Sequence, residues 1–106
     1  MRVLFEQGTP VPIRRLLTQH EVVTAHERGW PQLKNGELLD SAEKERFAVL
    51  VTTDAILKYQ ENLTSRKLAI VVLTTTSWPK IQRVADAVVA AVDGATAGSY
   101  IEVEVL

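Results

Sequence analysis

Two short apolar runs, Ala48-Val49-Leu50-Val51 and Leu68-Ala69-Ile70-Val71-Val72-Leu73, restrict the fold of this chain more than any other feature. Four to eight apolar residues without polar alternation must be covered on both faces, the condition of a strand inside a parallel sheet. Each run stops abruptly on side-chain oxygens, Thr52-Thr53-Asp54 after the first and Thr74-Thr75-Thr76-Ser77 after the second. A third run, Val3-Leu4-Phe5, stops on Glu6. Ligands of open α/β sheets gather beyond the carboxyl ends of the strands, so these side chains mark the rim where chemistry is expected.

The segments between the runs read as helices and turns. Gln7-Gly8-Thr9-Pro10 is turn chemistry, with Thr9 as N-cap and Pro10 at the first helical position. The helix that follows is expected to reach residue 19 and to bury Val11, Ile13, Leu16 and Leu17. Residues 20–24 read as a short strand through Val22 and Val23, and residues 28–35 as a loop anchored by Trp30. A helix over 36–46 buries Leu38, Leu39 and Ala42. Residues 55–60 read as a short helix and 62–67 as a polar connection. Ser77 is the N-cap of a long amphipathic helix ending near Gly94, with Ile81, Val84, Ala85, Val88 and Val92 as its stripe. The tail alternates Ile101, Val103 and Val105 with Tyr100, Glu102 and Glu104, which predicts a C-terminal edge strand. Strand and helix in alternation predict an α/β fold of three α/β/α layers, with a mostly parallel central sheet.

At 106 residues, 46% of them hydrophobic and 24% charged, the chain is expected to form one globular domain over 1–106. A net charge of −1 supplies no general basic field for nucleic acid, so any such affinity would come from a local patch. The absence of cysteine excludes disulfides, thiolate metal sites and a cysteine nucleophile, and fits a cytoplasmic location. No leader is read ahead of the first strand, and no apolar stretch approaches the ~20 residues of a membrane span.

Glu6, Thr53 and Asp54 follow the first and third strands, while Asn35 and Glu37 open the helix before the third. Oxygen-rich clusters of this kind suit hard divalent cations, which bind through one or two carboxylates and keep several waters. One such ion, or a pair about 4 Å apart, activates water and stabilises charge on a phosphate. His20, His26 and the hydroxyls form no recognisable triad or zinc spacing.

Four stretches carry a resemblance. Met1-Arg2-Val3-Leu4-Phe5-Glu6-Gln7-Gly8, Gln19-His20-Glu21-Val22, Asn35-Gly36-Glu37-Leu38-Leu39 and Val49-Leu50-Val51-Thr52-Thr53-Asp54 occur in the order found in small PIN-like proteins. Those are nucleases predicted in bacterial toxin–antitoxin pairs. Their pattern is an acid-rich turn after the first strand, a Gly-His-x-Val second strand, an Asp-x-x-Ile-Leu helix start and a Thr-x-Asp-x-Asp-Phe turn. The resemblance covers about the first two-thirds of the chain. It implies a PIN-like fold, Mg2+ or Mn2+ as cofactor, RNA as substrate, an antitoxin as protein partner and a homodimer. Glu6 stands where the family usually has Asp, Asn35 replaces the helix-start Asp, and Ile56 and Leu57 replace the second Asp and the Phe. Asp54 alone is kept in both type and place.

On this basis Glu6, Asp54 and Glu37 are the candidate catalytic acids, with Glu6, Asp54 and Asn35 as metal ligands. Lys58, Arg14, Arg15 and Thr53 are the candidates for contacting substrate. Each also has a plain structural reading: Asp54 as helix N-cap, Asn35 and Glu37 as helix-start residues, Arg14 and Arg15 as an exposed helical face. Trp78 is read as packing over the sheet end. Three functions stay open: a metal-dependent endoribonuclease, a PIN-like binding or regulatory module without catalysis, and an interaction subunit using the C-terminal edge.

Overall fold

The structure, a computed structural model, describes residues 1–33, 35–54 and 65–106, and of Asn35 the backbone alone. Five strands form one sheet: β1 Arg2–Phe5, β2 Glu21–Thr24, β3 Val49–Thr52, β4 Ala69–Leu73 and β5 Tyr100–Val103. Their order is β2-β1-β3-β4-β5 and every pairing is parallel. The expected mostly parallel sheet is thus all-parallel, with β5 at one edge. In register, Val3 pairs with Val22 and Val49, and Phe5 with Thr24 and Val51. All carboxyl ends therefore lie on one rim. The expected helix over 55–60, with Ile56, Leu57 and Lys58, lies outside the described residues, as does the start of the connection at 62–64.

Side chains alternate between two faces, and each face has its own core. On one face Val3, Phe5, Val51, Val71 and Leu73 pack under Ile13, Ile81, Val88 and Val92. On the other Leu4, Leu50, Ile70 and Val72 pack under Leu38, Leu39 and Ala42. A 310 helix (Val11–Leu16), α2 (Trp78–Arg83) and α3 (Ala85–Asp93) cover the first face. Helix α1 (Asn35–Lys44) covers the second. Helices on both faces make three layers. Trp78 packs against the first core, and Trp30 meets Phe47 edge-on at 6.4 Å over the second.

The connections have an unusual property. β1 leads to β2 and β4 leads to β5 in opposite directions along the sheet, yet both connections run over the same face. Two such crossovers have opposite hands. The β2-to-β3 connection runs in the direction of β4-to-β5 but over the other face, so it shares the hand of the first. The β4-α2-α3-β5 crossover is therefore the odd one of these three, where nearly all parallel crossovers are right-handed. It brings α2 against the 310 helix.

Two helices differ from the sequence expectation. The segment after β1 forms a 310 helix of six residues, with Pro10 at its N-cap and no side-chain cap. Thr9 is not the cap, because its hydroxyl donates to the Val51 carbonyl at 2.9 Å. The long C-terminal helix breaks at Val84, whose φ of −116° and ψ of 30° leave the helical region. Neither Gly nor Pro marks the break. Ser77 does cap α2, accepting from the Lys80 amide.

Helix α1 ends in a Schellman arrangement. The Phe47 amide donates to the Ala42 carbonyl at 2.9 Å and the Arg46 amide to the Glu43 carbonyl at 3.0 Å. Arg46 sits at a φ of 64°, in the left-handed position where glycine is usual. A β-carbon there costs roughly 1–2 kcal/mol, and Arg46 is exposed. Arg46→Gly is expected to stabilise the protein by about 1 kcal/mol, read as a higher urea midpoint with an unchanged slope. A lower midpoint would contradict this account of the helix end.

Candidate functional site

The strand order reverses between β1 and β3, since β1 leads to one side of the sheet and β3 to the other. Open α/β sheets place their ligand crevice at such a switch point, outside the carboxyl ends. Glu6 leaves β1 there and its amide continues the ladder, donating to the Val51 carbonyl at 3.0 Å. The Glu6 carbonyl closes a four-residue turn by accepting from the Thr9 amide at 2.9 Å. Gly8 in that turn lies against the β3 end, where an added β-carbon would sit 3.3 Å from Thr53 Oγ1. The close approach of the two loops favours a residue without a side chain.

Thr52, the last residue of β3, is 1% exposed. Its hydroxyl donates to Glu6 Oε1 at 2.6 Å and accepts from the Asp54 amide at 3.0 Å. One buried hydroxyl thus holds the Glu6 carboxylate and the Asp54 backbone, although 46 and 2 positions separate it from them in the chain. Asp54 and Thr53 are half-buried on the same rim. The sequence placed Thr52 on this rim but did not foresee it as the bridge.

The other candidates are arranged less closely. Glu37 is exposed on the first turn of α1, which starts at the carboxyl end of the sheet. The Asn35 side chain and Lys58 lie outside the described residues. Arg15 is exposed on the 310 helix. Arg14 faces β2: its Nη2 donates to the Val22 carbonyl at 3.2 Å and pairs with Glu27 Oε1. Of the two arginines read as one exposed face, Arg14 is half-buried, and its Nε is enclosed with no partner among the described residues.

Glu27 owes its place to a reciprocal turn. The Thr24 amide donates to Glu27 Oε1 at 2.9 Å, and the Glu27 amide donates to Thr24 Oγ1 at 3.0 Å. This is the Ser/Thr-x-x-Glu box, formed on a turn and legible as Thr24-Ala25-His26-Glu27. With Glu6, Gln7, Val11 and His26, the Arg14–Glu27 pair lines a cleft of about 340 Å3 at the ends of β1 and β2. His20 lies at the opposite end of the sheet, 2.6 Å from Asp93, and ties the start of β2 to the end of α3.

The donors on the rim are carboxylates and hydroxyls, a hard oxygen set that fits Mg2+ or Mn2+. Among the described residues no group of three or more His, Asp or Glu gathers at metal-binding range. Two carboxylates completed by waters and substrate oxygens form a set that magnesium accepts. Among the same residues no helix is long and apolar enough to cross a membrane. No family model matches the chain, and neither a curated protein nor a solved structure matches it significantly.

Thr52→Val keeps the shape but removes the hydroxyl that donates to Glu6 Oε1 and accepts from the Asp54 amide. A loss of about 1–3 kcal/mol in urea unfolding is expected; unchanged stability would show that the bridge does not form. The Thr24 amide, and after it Arg14, hold the Glu27 carboxyl below its ordinary value of 4.5. A depressed folded value means that this stabilisation is complete above pH 4.5 and fades as the pH falls through the lowered value. Acid titration of Glu27→Gln is expected to show a shallower loss of stability below pH 4.5 than the parent. Superimposable profiles would contradict it.

Proposed function

We propose that the chain is a PIN-like, metal-dependent endoribonuclease, acting as the cytoplasmic toxin of a toxin–antitoxin pair. What supports the reading is the attachment of Glu6 and Asp54 to one buried hydroxyl at the switch point of the sheet. Glu6 and Asp54 would hold Mg2+ or Mn2+, with Asn35 and Glu37 as the further candidates from the start of α1. When bound, the ion supplies Lewis-acid stabilisation of phosphodiester charge and a more acidic water. Thr52 holds one Glu6 oxygen, Oε1, and the second would be the ligand. Thr53, Arg15 and Lys58 are the groups for the RNA backbone. Arg14 acts at the neighbouring cleft, because Glu27 already neutralises it. RNA, an antitoxin protein and a second copy of the chain are the partners in this reading.

A PIN-like module without catalysis is the second reading. It is favoured by Asn35 and Ile56 at positions where the resembled family has acids. RNA cleavage separates the two. The parent is expected to cut single-stranded RNA with Mn2+ or Mg2+ and to stop in chelator. Asp54→Asn is expected to lower the rate at least about a hundredfold, roughly 3 kcal/mol of barrier, with an unchanged far-UV spectrum. Parent-like cleavage by that variant would overturn the mechanism. RNA binding without cleavage under either ion would establish the module.

A further inference from the structure

The two edges of the sheet are finished in different ways. Along β2 the amides of Glu21 and the following Ala25 donate to the Met1 and Phe5 carbonyls, so Val22 and Thr24 turn their backbone groups outward. Side chains and a turn close that edge. Arg14 Nη2 donates to the Val22 carbonyl at 3.2 Å, and Glu27 Oε1 accepts from the Thr24 amide at 2.9 Å. The Arg28 amide donates to the Thr24 carbonyl at 3.2 Å. Along β5 the Ser99 and Val103 carbonyls accept from the Ile70 and Thr74 amides, so Glu102 turns outward. The Val105 amide donates to Thr74 Oγ1 at 2.7 Å, which keeps the chain beyond β5 in the sheet and turns Glu104 outward too. The backbone N–H and C=O groups of Glu102 and Glu104 have no partner among the described residues. An open row of this kind is a template for one more strand.

The side chains state what that strand must carry. Glu102 and Glu104 are exposed and form no ion pair among the described residues. With Thr74 and Val105 they line a cleft of about 440 Å3. On the opposite face Ile101 is half-buried beside Val103 and Val105 of the core. We propose that β5 is the docking edge for an extended segment of another protein that alternates basic with apolar residues. Its backbone bonds Glu102 and Glu104, its lysines or arginines meet the two carboxylates, and its apolar side chains continue the row of Ile101 and Val103. A second copy of the chain fits this edge poorly. Pairing β5 with β5 about a twofold axis at Glu102, or between Glu102 and Glu104, sets acid opposite acid, which destabilises a strand pair. The β2 edge of a second copy is already closed. RNA is repelled by the same carboxylates. The inference does not rest on the ribonuclease reading, since it needs neither metal nor RNA.

Titration of the isotope-labelled full chain with the peptides KVKVKVK and EVEVEVE, read by amide NMR shifts and hydrogen exchange, tests it. KVKVKVK is expected to bind about tenfold tighter or more than EVEVEVE. It is expected to shift Glu102, Val103 and Glu104, to slow exchange of the outward Glu102 and Glu104 amides, and to leave Val22 and Thr24 unmoved. Glu102→Lys combined with Glu104→Lys, both on the exposed surface, is expected to reverse the preference between the peptides. Equal affinity for the two, no binding, or shifts centred on β2 would overturn the proposal, whether or not the double variant folds. Binding of KVKVKVK without slowed exchange at Glu102 and Glu104 would reduce the contact to charge attraction and overturn strand addition. A parent dimer in sedimentation, with those two amides already slow to exchange, would assign the edge to a second copy and overturn it as well.

Discussion

The Val51 carbonyl is the point on which the arrangement of the rim depends. It accepts from the Glu6 amide at 3.0 Å and from the Thr9 hydroxyl at 2.9 Å, so both of its lone pairs are used on the loop that follows β1. That fixes the loop to the neighbouring strand and sets the register in which Phe5 faces Val51. Thr52 follows directly and, because side chains alternate along a strand, its hydroxyl points to the other face from Val51 and reaches Glu6. A one-residue slip between β1 and β3 would exchange the buried faces of two fully covered strands, so the core enforces the pairing that the rim requires.

Around this point the fold divides its cations and acids into separate tasks. The crossover of opposite hand brings α2 beside the 310 helix on the face of Phe5 and Val51. The Thr24–Glu27 turn then draws Arg14 toward the end of β2. Arg14 thereby leaves the group of loose surface charges and becomes a fixed donor in a cleft. Elsewhere ion pairs serve the scaffold. Arg66, ahead of β4, meets Asp40 at 2.6 Å and Glu43 at 2.9 Å on α1, and Arg2 lies 4.2 Å from the centre of the Phe47 ring.

The central strands β1, β3 and β4 were legible because they are apolar on both faces, which leaves continuous runs that no amphipathic helix shows, and the edge strand β5 was legible from its alternation. The interior of α1 was legible from the spacing of Leu38, Leu39 and Ala42. Local signals failed where a distant partner took over a side chain. Thr9 has every property of an N-cap, yet the Val51 carbonyl holds its hydroxyl, and the helix after it tightens to a 310 turn. The stripe from Ile81 to Val92 is continuous in sequence, but the backbone breaks at Val84 with no residue that announces it. At the site, the positions of Glu6 and Asp54 followed from the strand ends. The Thr52 bridge did not, because it is a contact across 46 positions. The Thr24-x-x-Glu27 box was present in the sequence as a motif, and its coupling to Arg14 needed the fold.

In the proposed reading Glu6 and Asp54, whose carboxylate and backbone amide meet at the Thr52 hydroxyl, share one cation, and the paramagnetic broadening caused by Mn2+ is the measurement that bears on it most directly. Substoichiometric Mn2+ added to the isotope-labelled chain is expected to broaden the amide signals of Glu6, Thr53 and Asp54 first, and excess Mg2+ to restore them. Broadening that begins at the exposed acids Glu102 and Glu104, or no localised broadening at millimolar ion, would contradict the account.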